Sequence, residues 1–248
     1  MCHSWLASCR RLLYRDVTIK SPLQLDAFGQ TLKSSTYLQH YVQTLRVDRT
    51  PSPYTHIFPI INNILAPKLV RQLPLVHTLE LIRVDEGEWQ AETFRSLACW
   101  TSIIKLSIVR CSLTPDTLIN LISTFPSLQV LRIDDLPFCQ NLRSRAYRLQ
   151  SDARITTLPL KRLTRLILNV PIIPKYNAFG GNSLFEWILN SKIDTLKELY
   201  LGVSIRDARI RGRFLRALGP HVRHLELGFH NLVRQLDVFG KPLYSWRT

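Results

Sequence analysis

With 248 residues the chain suits one ordinary domain or one short repeat array. Hydrophobic residues at 46% and charged residues at 21% supply a sizeable core and exclude a disordered or collagen-like chain. Lys+Arg at 33 against Asp+Glu at 18 leaves +15, a charge that points toward acidic partners and away from a basic ligand.

Taken in order, the chain opens with Arg10 and Arg11 where a secretion signal would place its apolar centre, so no signal is expected. No run approaches the roughly 18 apolar residues of a membrane helix. Tyr14-x-x-Val17-x-Ile19 reads as a short strand, and Ser21-Pro22 with Leu25, Phe28 and Leu32 reads as a capped helix behind it. Strand patterns return at Val42-x-x-Leu45-x-Val47 and Val76-x-x-Leu79-x-Leu81. A weaker helix follows from Glu88 to Trp100, then Ile103-x-x-Leu106-x-Ile108. Thr114-Pro115-Asp116 starts a helix with a capping hydroxyl, a first-position proline and an early acid. Leu118, Leu121, Ile122 and Phe125 continue it at helical spacing until Pro126 stops the run. Leu128-x-x-Leu131-x-Ile133, Leu163-x-x-Leu166-x-Leu168, Leu196-x-x-Leu199-x-Leu201 and Val222-x-x-Leu225-x-Leu227 complete the set. Ser183 to Asn190 and Arg211 to Leu218 are the helices read between the last three.

The middle position is Leu in seven of these eight units, at spacings of 28, 34, 27, 25, 35, 33 and 26 residues. That period falls at the upper edge of the leucine-rich-repeat range. Eight units in one register separate the chain from an α/β domain in which such strands recur by habit. Period-two alternation buries Leu131 and Ile133 and turns Val130, Arg132 and Asp134 outward. Stacked strands then form a parallel sheet, with helices as the crossovers. The expected fold is a right-handed α/β leucine-rich-repeat solenoid. Cys111 occupies the Asn/Cys position of such repeats, whereas Thr50, Val84, Leu136, Pro171, Ser204 and His230 depart from it, so the array is irregular.

Cys2-His3-Ser4-Trp5, followed by Leu12-Leu13-Tyr14-Arg15-Asp16-Val17-Thr18-Ile19, resembles the last helix of an F-box and its exit into a first repeat strand. That stretch of F-box proteins commonly reads Cys-x-x-Trp, a basic helix, then Leu-Phe/Tyr-Arg-x-Val/Ile. Cys2, Trp5, Leu13, Tyr14 and Arg15 carry the resemblance. It divides the chain into residues 1–20, the end of an F-box acting as a cap, and 21–248, the repeat array. It implies a substrate-capturing subunit of a Skp–cullin–F-box ubiquitin ligase. The earlier F-box helices, which open with a Leu-Pro element and make most of the contact with the Skp-type adaptor, do not precede Met1. The chain is then either an incomplete reading of a longer product or one without adaptor binding.

No Gly-x-Ser-x-Gly elbow, His-Glu-x-x-His helix or phosphate-cradling glycine loop occurs, so no enzyme, catalytic residue or cofactor is expected. Gly180-Gly181 reads as a loop ahead of an Asn182 or Ser183 cap. His221 and His224 fall on opposite strand faces, and Asp134-Asp135 reads as a solvated strand end, so no metal site is expected. Five scattered cysteines, Cys2, Cys9, Cys99, Cys111 and Cys139, hold no Cys-x-x-Cys pair and point to an intracellular, cytoplasmic or nuclear setting.

The charge is skewed: residues 125–248 hold 20 basic and 9 acidic side chains, net +11, which leaves +4 for residues 1–124. Arg143, Arg145, Arg148, Arg154, Lys161, Arg162 and Arg165 form one dense stretch, and Arg206, Arg209, Arg211, Arg213 and Arg216 a second. Solvated loops, an acidic protein partner and nucleic acid all suit such stretches. The expected function is non-catalytic protein recognition, with a ubiquitin-independent scaffold and an electrostatic nucleic-acid binder as alternatives. The outward strand positions Arg46, Glu80, Lys105, Ser107, Arg132, Asp134, Arg165, Glu198, Tyr200, His224 and Glu226 are the candidate binding surface, with Arg132, Arg165 and Tyr200 expected as one patch.

Overall fold

The structure is a computed structural model that describes residues 3–49, 67–85, 89, 91–136, 160–170, 181–191, 193–203 and 208–229. Each apolar-x-x-Leu-x-apolar unit forms a strand. These are β1 Asp16–Ile19, β2 Thr44–Asp48, β3 Thr78–Ile82, β4 Lys105–Val109, β5 Val130–Asp134, β6 Arg165–Asn169, β7 Glu198–Val203 and β8 His224–Phe229. All are parallel, in one sheet whose spatial order is the chain order. The register sets Val17, Leu45, Leu79, Leu106, Leu131, Leu166, Leu199 and Leu225 in one row. Two positions on, Ile19, Val47, Leu81, Ile108, Ile133, Leu168, Leu201 and Leu227 form a second row. Each repeat thus pairs only with its neighbours, as stacking of identical units requires. The chain is an α/β leucine-rich-repeat solenoid.

α1 His3–Arg15 leads into β1, and the crossovers among the described residues carry α2 Pro22–Ser34, α3 Pro67–Gln72, α4 Ala91–Leu97, α5 Pro115–Ser123, α6 Gly181–Asn190 and α7 Ala208–Leu218. Both capping sequences act as their chemistry dictates. The Ser21 Oγ accepts from the Gln24 N–H at 3.3 Å, and the Thr114 Oγ1 accepts from the Thr117 N–H at 3.2 Å, each with a proline inside the helix start. Three helices differ from the expected bounds, and of these α7 begins at Ala208, ahead of Arg211. α6 begins at Gly181, so this residue is helical rather than part of a loop ahead of a cap, and Gly180 lies outside the described residues. α4 ends at Leu97, short of Trp100, because Trp100 turns inward. Its indole Nε1–H donates to the Val70 carbonyl at 2.9 Å and stitches two successive crossovers together.

The core is the Leu ladder and the helix faces against it. Leu45, Leu79, Leu106, Leu131, Leu166 and Leu199 are fully buried. At the β8 end the burial lapses, with Leu225 and Leu227 at 47% and 38% exposure. β3, β4 and β5 close on the same turn. Arg83, Arg110 and Asp135 stand at equivalent positions with φ of 58°, 53° and 50°, the left-handed region that side chains other than glycine seldom adopt. Repeating that conformation three times shows how strictly the unit geometry is kept where the sequence is irregular.

Cys111 sits where the repeat pattern places it. Its Sγ accepts from the Val84 N–H and lies 3.4 Å from the carbonyls of Leu81 and Val109, in the preceding repeat and its own. Burial pushes this thiol up to about 11. A raised thiol gives stability that is fully present below about pH 9 and is lost as the pH climbs through the native value, because only the unfolded chain ionises in that window. The loss should approach about 1.4 kcal/mol per pH unit. Urea midpoints of the protein and of Cys111→Ala, compared at about pH 8 and about pH 10.5, should show a steeper alkaline fall for the parent. Parallel curves would remove Cys111 as the cause.

Candidate functional site

The face of the sheet opposite the Leu ladder bears two main rows. One runs Asp16, Thr44, Thr78, Lys105, Val130, Arg165, Glu198, His224. The next runs Thr18, Arg46, Glu80, Ser107, Arg132, Ile167, Tyr200, Glu226. The expected outward residues all stand on this side. Ser107 is nevertheless buried, since its short side chain lies between Glu80 and Arg132 in the same row.

Three clusters divide the face. At the N-terminal end a groove of about 370 Å³ is lined by Asp16, Thr18, Thr44, Arg46, Thr78, Glu80 and Lys105, together with Val17. The Arg46 Nη2 lies 2.6 Å from the Glu80 Oε2 across the β2–β3 pair. The Thr44 hydroxyl, bonded to the Asp16 carboxylate, holds that group below the usual carboxylate range, with Arg15 and Arg46 adding to the effect against the cost of burial.

In the middle, the Arg132 Nη2 donates to the Asp134 Oδ2 at 2.8 Å on its own strand. The Asn169 Nδ2 donates to the other oxygen of Asp134 at 2.7 Å from β6. This Asp is therefore fixed from two strands. Asn169 was not among the expected residues, although its place directly opposite Asp134 follows from aligning the two repeats.

At the C-terminal end Tyr200 is the hub. The Arg165 guanidinium stacks over its ring, 4.9 Å from the centroid, and the Arg165 Nη2 donates to the Tyr200 hydroxyl at 3.1 Å. The Arg165 Nε lies 3.1 Å from the Glu198 Oε2, an ion pair by distance without hydrogen-bond alignment. The His224 ring tilts against Tyr200 at 5.5 Å between centroids. Arg165 is thus bound to Tyr200 diagonally, and the residue between Arg132 and Tyr200 in the row is Ile167. The expected patch of Arg132, Arg165 and Tyr200 gains Ile167, which stands between Arg132 and Tyr200 in the row with Arg165 beside it. Lining up the middle leucines, Leu131, Leu166 and Leu199, is the signal that places Ile167 there.

The arginine stretches come apart in the structure. Arg143, Arg145, Arg148, Arg154 and Arg206 lie outside the described residues. Arg211 is not solvated. It is 1% exposed, its guanidinium donates to the Val170 carbonyl at 3.0 Å, and it sits 5.7 Å from the centre of the Phe185 ring. Helical spacing explains it, because Arg211 and Phe214 share the inward stripe of α7. Arg213 pairs with Glu186 of α6 at 2.8 Å, while Arg209 and Arg216 are exposed. Among the described residues no group of three or more His, Cys, Asp or Glu side chains could hold a metal, and no helix is long and apolar enough to cross a membrane.

No protein-family model matches the chain, and no curated protein matches it. Among solved structures, an internalin from Listeria monocytogenes is similar at 16% identity over 87% of this chain, with a TM-score of 0.32. The match covers 57% of that chain's length. The fold assignment rests on the strand order and register of the chain itself.

Proposed function

We propose that this chain is a non-catalytic protein-recognition module that grips a protein target on the open face of its sheet. The observation that carries the reading is the Arg132, Ile167, Tyr200 row with Arg165 and His224 packed around the tyrosine. An apolar residue and a tyrosine braced by an arginine combine large contact area with directional hydrogen bonds, the composition of interface hot spots. The charge on this face supports a protein over a polyanion. Asp16, Glu80, Asp134, Glu198 and Glu226 alternate with Arg46, Lys105, Arg132 and Arg165, and Asp48 is bonded to Arg83, so an overall basic chain has an open face of mixed sign. Nucleic acid would find no continuous positive track there. The test is partner capture by the parent against a variant with Ile167→Asp and Tyr200→Ala.

The finer reading is the substrate-binding part of an F-box protein in a Skp–cullin–F-box ubiquitin ligase, acting inside the cell. Its support lies at the other end of the molecule. Trp5, Leu12 and Leu13 of α1 and Leu23 of α2 are 66%, 69%, 75% and 80% exposed, and Tyr14 packs against the core while Arg15 pairs with Asp16. Cys2 lies outside the described residues. An apolar surface on α1 is the kind of surface that the leading helices of an F-box would cover. A purified Skp-type adaptor should therefore bind the 248-residue chain weakly or not at all, and bind it once the leading F-box helices are fused ahead of Met1. Tight binding by the unfused chain, or none by the fusion, would contradict this.

A further inference from the structure

On the open face Arg46, Arg132 and Arg165 each face a carboxylate, at 2.6, 2.8 and 3.1 Å. A separate cluster of arginines and lysines, none of them in an ion pair among the described residues, lies on the rim where the chain enters β6, β7 and β8. Lys161, Arg162, Lys197 and Arg223 are all exposed there. Hydrogen bonds to backbone carbonyls hold the three segments side by side. The Thr195 hydroxyl donates to the Lys161 carbonyl at 3.0 Å, the Lys197 N–H to the Thr164 carbonyl at 2.8 Å, and the Arg223 N–H to the Lys197 carbonyl at 2.8 Å. Asp194 is the one carboxylate within these segments of the rim, 160–164, 193–197 and 219–223.

We infer that this rim is a second docking surface, for a short acidic polypeptide segment. Exposed cations clustered on a rigid rim focus positive potential where solvent and ligand can reach it. The dimensions fit a peptide. Successive strands lie about 4.8 Å apart, so the patch from β6 to β8 runs about 10 Å. Carboxylates at i, i+3 and i+4 on a helix lie about 5–6 Å apart and match that step. A nucleic-acid site would need a longer track of phosphate contacts, and a single strand would want aromatic rings interleaved with the cations. The three segments hold no Phe, Tyr or Trp. This surface does not depend on the open-face reading, since none of its residues belongs to that face.

The experiment is fluorescence anisotropy of a dye-labelled, glutamate-rich, helix-forming peptide, with an oligo-dT strand as the comparison, at low and at physiological salt. Exposed ion pairs contribute little one at a time, so the decisive variant reverses three, Lys161→Glu, Lys197→Glu and Arg223→Glu. It should weaken peptide binding about tenfold or more, and its thermal midpoint should stay close to the parent's because the residues are exposed. If the reversal unfolds the chain, the three glutamine substitutions take its place and should weaken binding in the same direction. Binding indifferent to the substitutions, or no binding at low salt, would overturn the inference. Tighter binding of oligo-dT than of the peptide at the same salt would replace the acidic peptide by nucleic acid and overturn it equally.

Discussion

Replacing Leu131 by alanine should lower the stability of this protein by about 2–5 kcal/mol, whereas Arg132→Ala one residue away should cost roughly half a kcal/mol. The contrast follows from the ladder. Leu131 is 0% exposed between Leu106 and Leu166, so truncation removes its transfer energy and leaves a cavity that rigid strands on both sides cannot close. Arg132 is on the opposite side of the same strand, half exposed, and its salt bridge to Asp134 is of the solvent-screened kind that contributes little. Urea denaturation of the two variants measures the difference. Equal losses would mean that the alternation along β5 does not hold.

The sequence made the sheet legible and left much of its surface out of reach. Strand positions, parallel order and the buried ladder all follow from eight copies of one pattern, because side-chain alternation leaves a strand only two faces to choose from. The caps at Ser21 and Thr114 were equally readable, since a hydroxyl followed by proline leaves the first helical turn little freedom. Side-chain partnership was harder. Arg165 reaches diagonally to Tyr200 because a guanidinium on a long stem can choose among several acceptors, and residue spacing does not say which one it takes. Arg211 was grouped with its charged neighbours, although the spacing of Arg211 to Phe214 to Leu218 marks a buried stripe. A buried arginine contradicts composition-based expectation and becomes visible only when the Val170 carbonyl and the Phe185 ring are seen around it. Ile167 and Asn169 were readable in principle, from aligning the leucines of adjacent repeats, and each changes the surface at the point where recognition is placed.

That surface gives the second large effect. Ile167 and Tyr200 occupy adjacent strands of one row, about 4.8 Å apart, and Tyr200 is held from three sides by Arg165, Glu198 and His224. A side chain fixed in advance loses little freedom on binding, so its contacts translate more fully into affinity. Truncation of hot-spot residues costs about 2 kcal/mol or more each, which is roughly thirtyfold in affinity. Both residues lie outside the Leu ladder, so the fold should tolerate their loss.

Recognition of a protein partner by the open face is tested by the binding of a variant that changes this face and nothing beneath it. A partner captured by the parent chain is purified and titrated against the parent and against Ile167→Asp with Tyr200→Ala, alongside thermal denaturation of both. The variant should lose measurable binding and keep a thermal midpoint close to the parent's. Undiminished affinity for the same partner would contradict this and place recognition away from the open face.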